Sequence, residues 1–200
     1  MKTLLNKTGL ALIAVYALGT FTACQPEENN ALTADDQASL QFMYEEEKLA
    51  RDVYTTLGAL WNVNQLNNIK DSEQNHMDAI AAIMDQYQVA YDVLPLGEYN
   101  DSHLKTLYDD LVAQGTVSKL AALTVGATVE DLDIVDLENF METTEIGEII
   151  TIYDQLQCGS RNHLRAYVSG IVNEGGTYTP QFLTQEAYDA ILAGDHENCH

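Results

Sequence analysis

From residue 34 to the end of the chain, apolar residues recur at three- and four-residue spacing and never settle into strict alternation. Amphipathic helices satisfy this pattern and β-strands do not. The spacing predicts long helices over 34–60, 70–87, 118–141 and 147–172. Thr33 stands where a cap belongs, and Asp35 and Asp36 lie in the first turn, where the helix dipole favours acids. A connection containing Pro95, Gly97 and a shorter helix over 103–113 separates the second long helix from the third. The other two links are brief. After Gly175-Gly176 and Pro180 a last short helix covers 185–192 and packs across one end. The expectation is an all-α four-helix bundle over 34–193, with one long crossover and a short C-terminal helix.

Charge narrows the function. Lys and Arg number 9 against 31 Asp and Glu, a formal net charge of -22, which repels a phosphate backbone and excludes sequence-independent nucleic-acid binding. Cations are the natural partners. Placed at 100° per residue, Glu73 and His76 fall inside the apolar stripe of 70–87, among Ile69, Ile80, Ile83 and Met84. Glu130 and Asp133 fall inside the stripe of 118–141, whereas Asp131, Asp136 and Glu138 fall outside it. His163 and Ser160 are flanked by the apolar residues of 147–172. On the first helix Glu46 and Glu47 lie within the apolar arc, Glu46 nearer its middle, and Glu45 does not. Ionised carboxylates inside a bundle are strongly disfavoured unless paired or bound to metal, and this chain has few cationic side chains. Converging carboxylates therefore point to a metal ion. Glu73-Gln-Asn-His76 is a Glu-x-x-His unit, whose spacing sets carboxylate and imidazole one turn apart on one face. The remaining acids read as a solvated face.

The connectivity with one long crossover is that of ferritin-like folds. The segment Glu47-Lys-Leu-Ala50-Arg51-Asp-Val-Tyr54 resembles the first-helix signature of rubrerythrin and related ferritin-like di-iron proteins. With Ser72-Glu73-Gln-Asn-His76-Met77, Glu130-Asp-Leu-Asp133-Ile134 and Gly159-Ser160-Arg161-Asn162-His163-Leu164-Arg165-Ala166-Tyr167, residues 36–193 are similar to a bacterial and archaeal ferritin-like family catalogued as a domain of unknown function. The resemblance implies a metal centre with Glu47 as terminal ligand of the first helix, Glu73 as bridging carboxylate, His76 as its imidazole partner, and Glu130 and His163 as ligands from the last two long helices. It favours Glu47 over Glu46 because Tyr54 stands two turns on. Tyr54 and Ser160 fall beside the ligands. Ser160 occupies the position of the Glu in the second Glu-x-x-His unit, and Asp133, one turn from Glu130, is the replacement carboxylate. Carboxylates suit hard ions and imidazole suits iron, so the expected cofactor is iron or manganese, and the chemistry is oxidase, peroxide-reducing or iron-handling. No substrate follows from the resemblance.

The amino-terminal end reads as a processed leader. Lys2 and Lys7 precede an apolar run from Gly9 to Phe21, shorter than the ~20 residues a bilayer crossing needs, and Thr22-Ala23 precede Cys24. The ending resembles a bacterial lipobox, with plain secretion as the alternative. Residues 1–23 are thus expected as a lipoprotein signal peptide, Cys24 as the acylated residue, 24–33 as a polar tether and 194–200 as a flexible tail. The implied location is the cell envelope, anchored by lipid at the outer membrane or cell surface. Cys158 and Cys199 remain, in a compartment that permits pairing. A second reading has no metal: the inward acids pair with Arg51, Arg161 and Arg165, and the chain is a helical envelope lipoprotein that binds a partner.

Overall fold

The computed structural model describes residues 31–199. The leader, Cys24 and the tether up to residue 30 lie outside the described residues. Among those described, the fold is all-α: α1 (Ala34–Trp61), α2 (Asn64–Tyr87), α3 (Ser102–Gly115), α4 (Lys119–Thr143), α5 (Gly147–Asn173) and α6 (Gln185–Ala193). Thr33 caps α1 in a reciprocal capping box with Asp36. The other oxygen of Asp36 accepts from Thr144 Oγ1 at 2.6 Å, tying the start of α1 to the link between α4 and α5. The second helix begins six residues before the expected start at 70. Its asparagines at 64, 67 and 68 resemble a loop, but Leu66 and Ile69 continue the buried stripe, and packing outweighs weak local propensity.

The core is divided. One apolar cluster contains Val53, Tyr54, Leu66, Val129, Leu164 and Tyr167; a second contains Met43, Ile80, Met84, Leu137, Tyr153 and Leu156. The order in which each helix meets the clusters gives its direction. α1 and α5 run from the second cluster to the first, α2 and α4 from the first to the second. Because α2 and α4 run the same way, the chain must travel back the length of the molecule between them. The long crossover does this, and α3 lies on α1 and α4.

The outer face of α1 holds that crossover down. Gln41 Nε2 donates to Ala90 O at 2.9 Å, and the Glu45 carboxylate accepts from the backbone N–H groups of Asn100 and Asp101, each at 2.9 Å. Lys48, only 1 % exposed, donates to Asp52 and to Pro95 O, while Asp52 also accepts from Gly97 N and the Tyr99 hydroxyl. Asp131 does the same for the C-terminal segment, accepting from Tyr178 Oη and from the backbone N–H groups of Gln181, Phe182 and Leu183. Glu45 and Asp131 were expected on solvated faces. Both are buried, since a carboxylate surrounded by N–H donors replaces its water shell.

Candidate metal centre

Between the two apolar clusters, every long helix contributes polar residues to one layer: Glu46 and Glu47 from α1, Glu73 and His76 from α2, Glu130 and Asp133 from α4, Ser160 and His163 from α5. Glu46, Glu47, Glu73 and Glu130 are each no more than 2 % exposed. Glu73 is the middle of the arrangement. Its Oε2 lies 2.9 Å from His76 Nδ1 and its Oε1 lies 3.0 Å from His163 Nδ1. Glu47 Oε2 stands 3.1 Å from His76 Nδ1, and Glu130 Oε2 stands 3.4 Å from His163 Nδ1. Two groups result, Glu47 with Glu73 and His76, and Glu73 with Glu130 and His163, and in each the ligand atoms lie within 4.8 Å of one another. Glu73 belongs to both.

Donor chemistry in the layer fits a cation. Glu47 Oε1, both Glu46 oxygens and Asp133 Oδ1 are buried without a hydrogen-bond partner, and Glu73 Oε1 and His163 Nδ1 stand 3.0 Å apart without the alignment of a hydrogen bond. Buried polar atoms in native proteins are satisfied by something, and these converge on shared space. No arginine supplies the missing charge. Arg51 pairs with Asp52 and Gln74, and Arg161 and Arg165 pair with Glu197. The imidazoles alone oppose the carboxylates. Burial raises the Glu47 carboxyl to about 7 against the pull of His76. Burial likewise works to raise Glu73, but His163 and His76 on either side outweigh it and hold that carboxyl below its usual range. His163 is pushed up to about 10, because Glu73 and Glu130 outweigh the burial that disfavours its charge.

The residues around these candidate ligands have separate tasks. Tyr54, fully buried, donates its hydroxyl to Glu130 Oε1 at 2.5 Å and so fixes that carboxylate. Tyr167 packs against Tyr54 with ring centroids 5.3 Å apart, and it lies so close over Gly126 that any Cβ there would overlap its ring. Tyr153 meets Ser39, and Tyr87 donates to Glu148 at the surface, so neither touches the ligands. Asp133 is in neither ligand group. Its Oδ2 accepts from Ser160 Oγ at 2.5 Å, so the hydroxyl at the position where the resemblance implies a second Glu holds the carboxylate expected to compensate for it. Glu46 is also in neither group; burial and the neighbouring Asp133 and Asp136 push its carboxyl well up. Between the two α1 candidates, only Glu47 joins the histidines.

Gly159 is a site residue that the wheel did not single out. A Cβ at this position would lie 2.8 Å from His76 Nε2, so α5 must carry glycine for the imidazole of α2 to lie against it. Its place one residue before Ser160 in the conspicuous 159–167 segment was the available signal. Cys158, next to it, forms a disulfide with Cys199. Residues 194–199, expected as a tail, are thereby tied back to α5.

Comparison with known proteins agrees with the extent of this unit. The chain is 41% identical over 168 residues to "Uncharacterized protein MJ0754" of Methanocaldococcus jannaschii, covering 83% of this chain and 91% of the relative. The crystal structure titled hypothetical protein MJ0754, from Methanococcus jannaschii, superposes with a TM-score of 0.82 at 41% identity, covering 83% of this chain and 96% of that one. Residues 36–195 match the model described as "Uncharacterized protein domain (DUF2202)", and the chain belongs to that family.

Proposed function

We propose that this chain is a ferritin-like four-helix-bundle protein that holds two iron or manganese ions between its long helices and works at the cell envelope. The observation that carries the reading is Glu73, one carboxylate whose two oxygens face two histidines, each backed by a further glutamate from a different helix. In the proposed centre Glu47, Glu73 and His76 would hold one ion, and Glu73, Glu130 and His163 the other. Ions of this kind supply Lewis acidity and one-electron redox chemistry. The chain's own residues bind and orient. Tyr54 keeps Glu130 turned toward the layer, Ser160 restrains Asp133, and the two apolar clusters exclude water from both ends. The imidazoles, 12 % exposed, are the side of the layer that solvent reaches. Such a site suits oxidase, peroxide-reducing or iron-handling chemistry on something small.

Export and lipid anchoring through Cys24 belong to the same proposal. The basic start, the apolar run and Thr22-Ala23-Cys24 support it, and the Cys158–Cys199 pairing agrees with an oxidising compartment. No described helix is long and apolar enough to cross a membrane. The deciding measurement is elemental analysis of the chain from residue 25 onward after reconstitution with ferrous iron or Mn²⁺ and dialysis. Two ions per chain are expected. Metal content near zero with either ion, or unchanged in the Glu73→Ala, His76→Ala double variant, would sink the proposal.

A further inference from the structure

We propose that residues 196–199 form a strap across the side of the metal layer on which its two imidazoles reach solvent, and that the Cys158–Cys199 disulfide keeps it closed. The inference rests on the proposed metal centre for its purpose, though not for its geometry. A cleft of about 460 Å³ lies between α2 and α5 and is lined by His76, Gly159, Asn162 and His163 together with His196 to Cys199. Both imidazoles open into it, and the carboxylates lie behind them. A small solute that reaches an ion in the layer by the shortest route passes this cleft and therefore the strap.

Every attachment of the strap is to one face of α5. The Glu197 carboxylate accepts from Arg161 Nη2 at 2.6 Å and from Arg165 Nη2 at 2.7 Å. Its backbone N–H donates to Asn162 Oδ1 at 2.9 Å, and its carbonyl accepts from Asn162 Nδ2 at 3.0 Å. Cys158, Arg161, Asn162 and Arg165 are the i, i+3, i+4 and i+7 positions of a single helical stripe, the one that borders His163. The chain just before the strap is anchored independently. Asp131 holds residues 178–183, and Arg165 Nε donates to Ile191 O at 2.8 Å. Breaking the disulfide therefore frees a short terminal segment and leaves α6 seated. What then remains is the Glu197 carboxylate on two arginines and its backbone on the Asn162 amide, partly exposed contacts at a chain end that compete with water.

The redox step is complete with a dithiol reductant. Its thiolate attacks Cys199, the more exposed of the two cysteines; the S–S bond breaks and Cys158 leaves as thiolate and takes a proton. The second thiol of the reductant resolves the mixed disulfide and releases Cys199 as a thiol. Two electrons and two protons pass to the protein, and the reductant becomes a disulfide.

Hydroxyl-radical footprinting of the metal-free full chain, read on the peptides containing His76 and His163, tests the strap without any metal. Oxidation of both histidines should rise several-fold in Cys199→Ser and in a chain ending at Gly194, while His103 on α3 is labelled as in the disulfide form and the helices stay folded at the labelling temperature, melting lower only as loss of a cross-link requires. Unchanged labelling of His76 and His163 overturns the strap, and so does collapse of the whole fold in both variants, which would make the disulfide a global staple. In the second arm the chain is loaded with Mn²⁺ and challenged with excess EDTA. Reduction by a dithiol should speed Mn²⁺ loss several-fold, and an unchanged rate from loaded protein counts against gating. A chain that takes up no Mn²⁺ yet shows the labelling change would refute the metal centre and leave the strap standing.

Discussion

Sharing of Glu73 between two groups makes an unequal set of demands on three glutamates, and this can be measured. Glu47 belongs to the group with His76, Glu130 to the group with His163, and Glu73 to both. Replacing each by glutamine keeps the shape and removes one negative charge. Elemental analysis after dialysis should give two ions for the wild type, one each for Glu47→Gln and Glu130→Gln, and none for Glu73→Gln. Calorimetry gives the same ordering in energy. A ligand at a hundred times its Kd stabilises the native state by about 2.7 kcal/mol. A domain of this size shifts by roughly 2–4 °C per kcal/mol, so each bound ion should raise the melting temperature by roughly 5–11 °C. The metal-induced shift should halve in the two terminal variants and vanish in Glu73→Gln. The metal-free Glu73→Gln chain should itself melt lower, because His76 and His163 lose the carboxylate that both face. For that reason the test is the difference with and without metal. A Glu73→Gln chain that keeps the full shift, or terminal variants that lose both ions, would refute the shared-carboxylate arrangement.

Two further outcomes follow from the same geometry. The metal-free chain should lose stability as pH rises: His163 is held at about 10 against an ordinary 6.5, so its contribution is complete below 6.5 and is lost as pH passes through 10, and Glu47 at about 7 against 4.5 adds an unfavourable term that grows from pH 4.5 through 7. Metal must displace those same protons, so its apparent affinity should rise with pH over the 7 to 10 range; urea unfolding and Mn²⁺ titration at several pH values check the two opposite slopes, and parallel slopes would refute the assignment. Gly159→Ala sets a methyl 2.8 Å from His76 Nε2 but 4.0 Å from His163 Cε1, so it should weaken the ion held by Glu47 and His76 by about 10-fold or more and spare the other, as read by Mn²⁺ titration; equal loss at both positions would show that the helices, and not the imidazole, had moved.

Which parts were legible in the sequence depends on what physical signal each residue leaves. The six helices were readable because burial imposes a 3.6-residue period on apolar side chains, and only the start of α2 was obscured, by asparagines that mimic a loop. Glu73, His76, Glu130 and His163 were readable because a charge within an apolar stripe breaks that period, whereas the arc of α1 favoured Glu46 and only the resemblance carried by Tyr54 favoured Glu47. The structure brings those four together with Glu47. Asp133 breaks the period just as visibly but is taken by Ser160, a hydrogen bond between helices that no single-helix wheel contains. Glu45, Asp52 and Asp131 left no signal of burial, because what buries them is a loop folded over the outer face of a helix, and the loop has no periodicity to read.

The contrast between these acids is sharpest in α1. Its faces carry similar acids at adjacent positions, and only the partners differ. Glu45 meets two backbone N–H groups, and Asp52 meets a lysine, an arginine and the Gly97 N–H, so the oxygens of both are satisfied. Glu46 and Glu47, one and two residues on from Glu45, meet other acids and imidazoles and keep unpartnered oxygens. A helix that needed its acids only to fasten the crossover would have been better served by apolar residues on the inner face, since replacing buried charges with packed hydrophobic groups is often neutral or stabilising. The inner acids stand instead on the stretch of α1 between its two apolar clusters, level with Glu73 and Glu130 from helices that run the opposite way. Stability of the fold does not call for that convergence of like charges. The proposed cation would, and this is the reason the layer, more than the helices around it, is where the function of the chain should be sought.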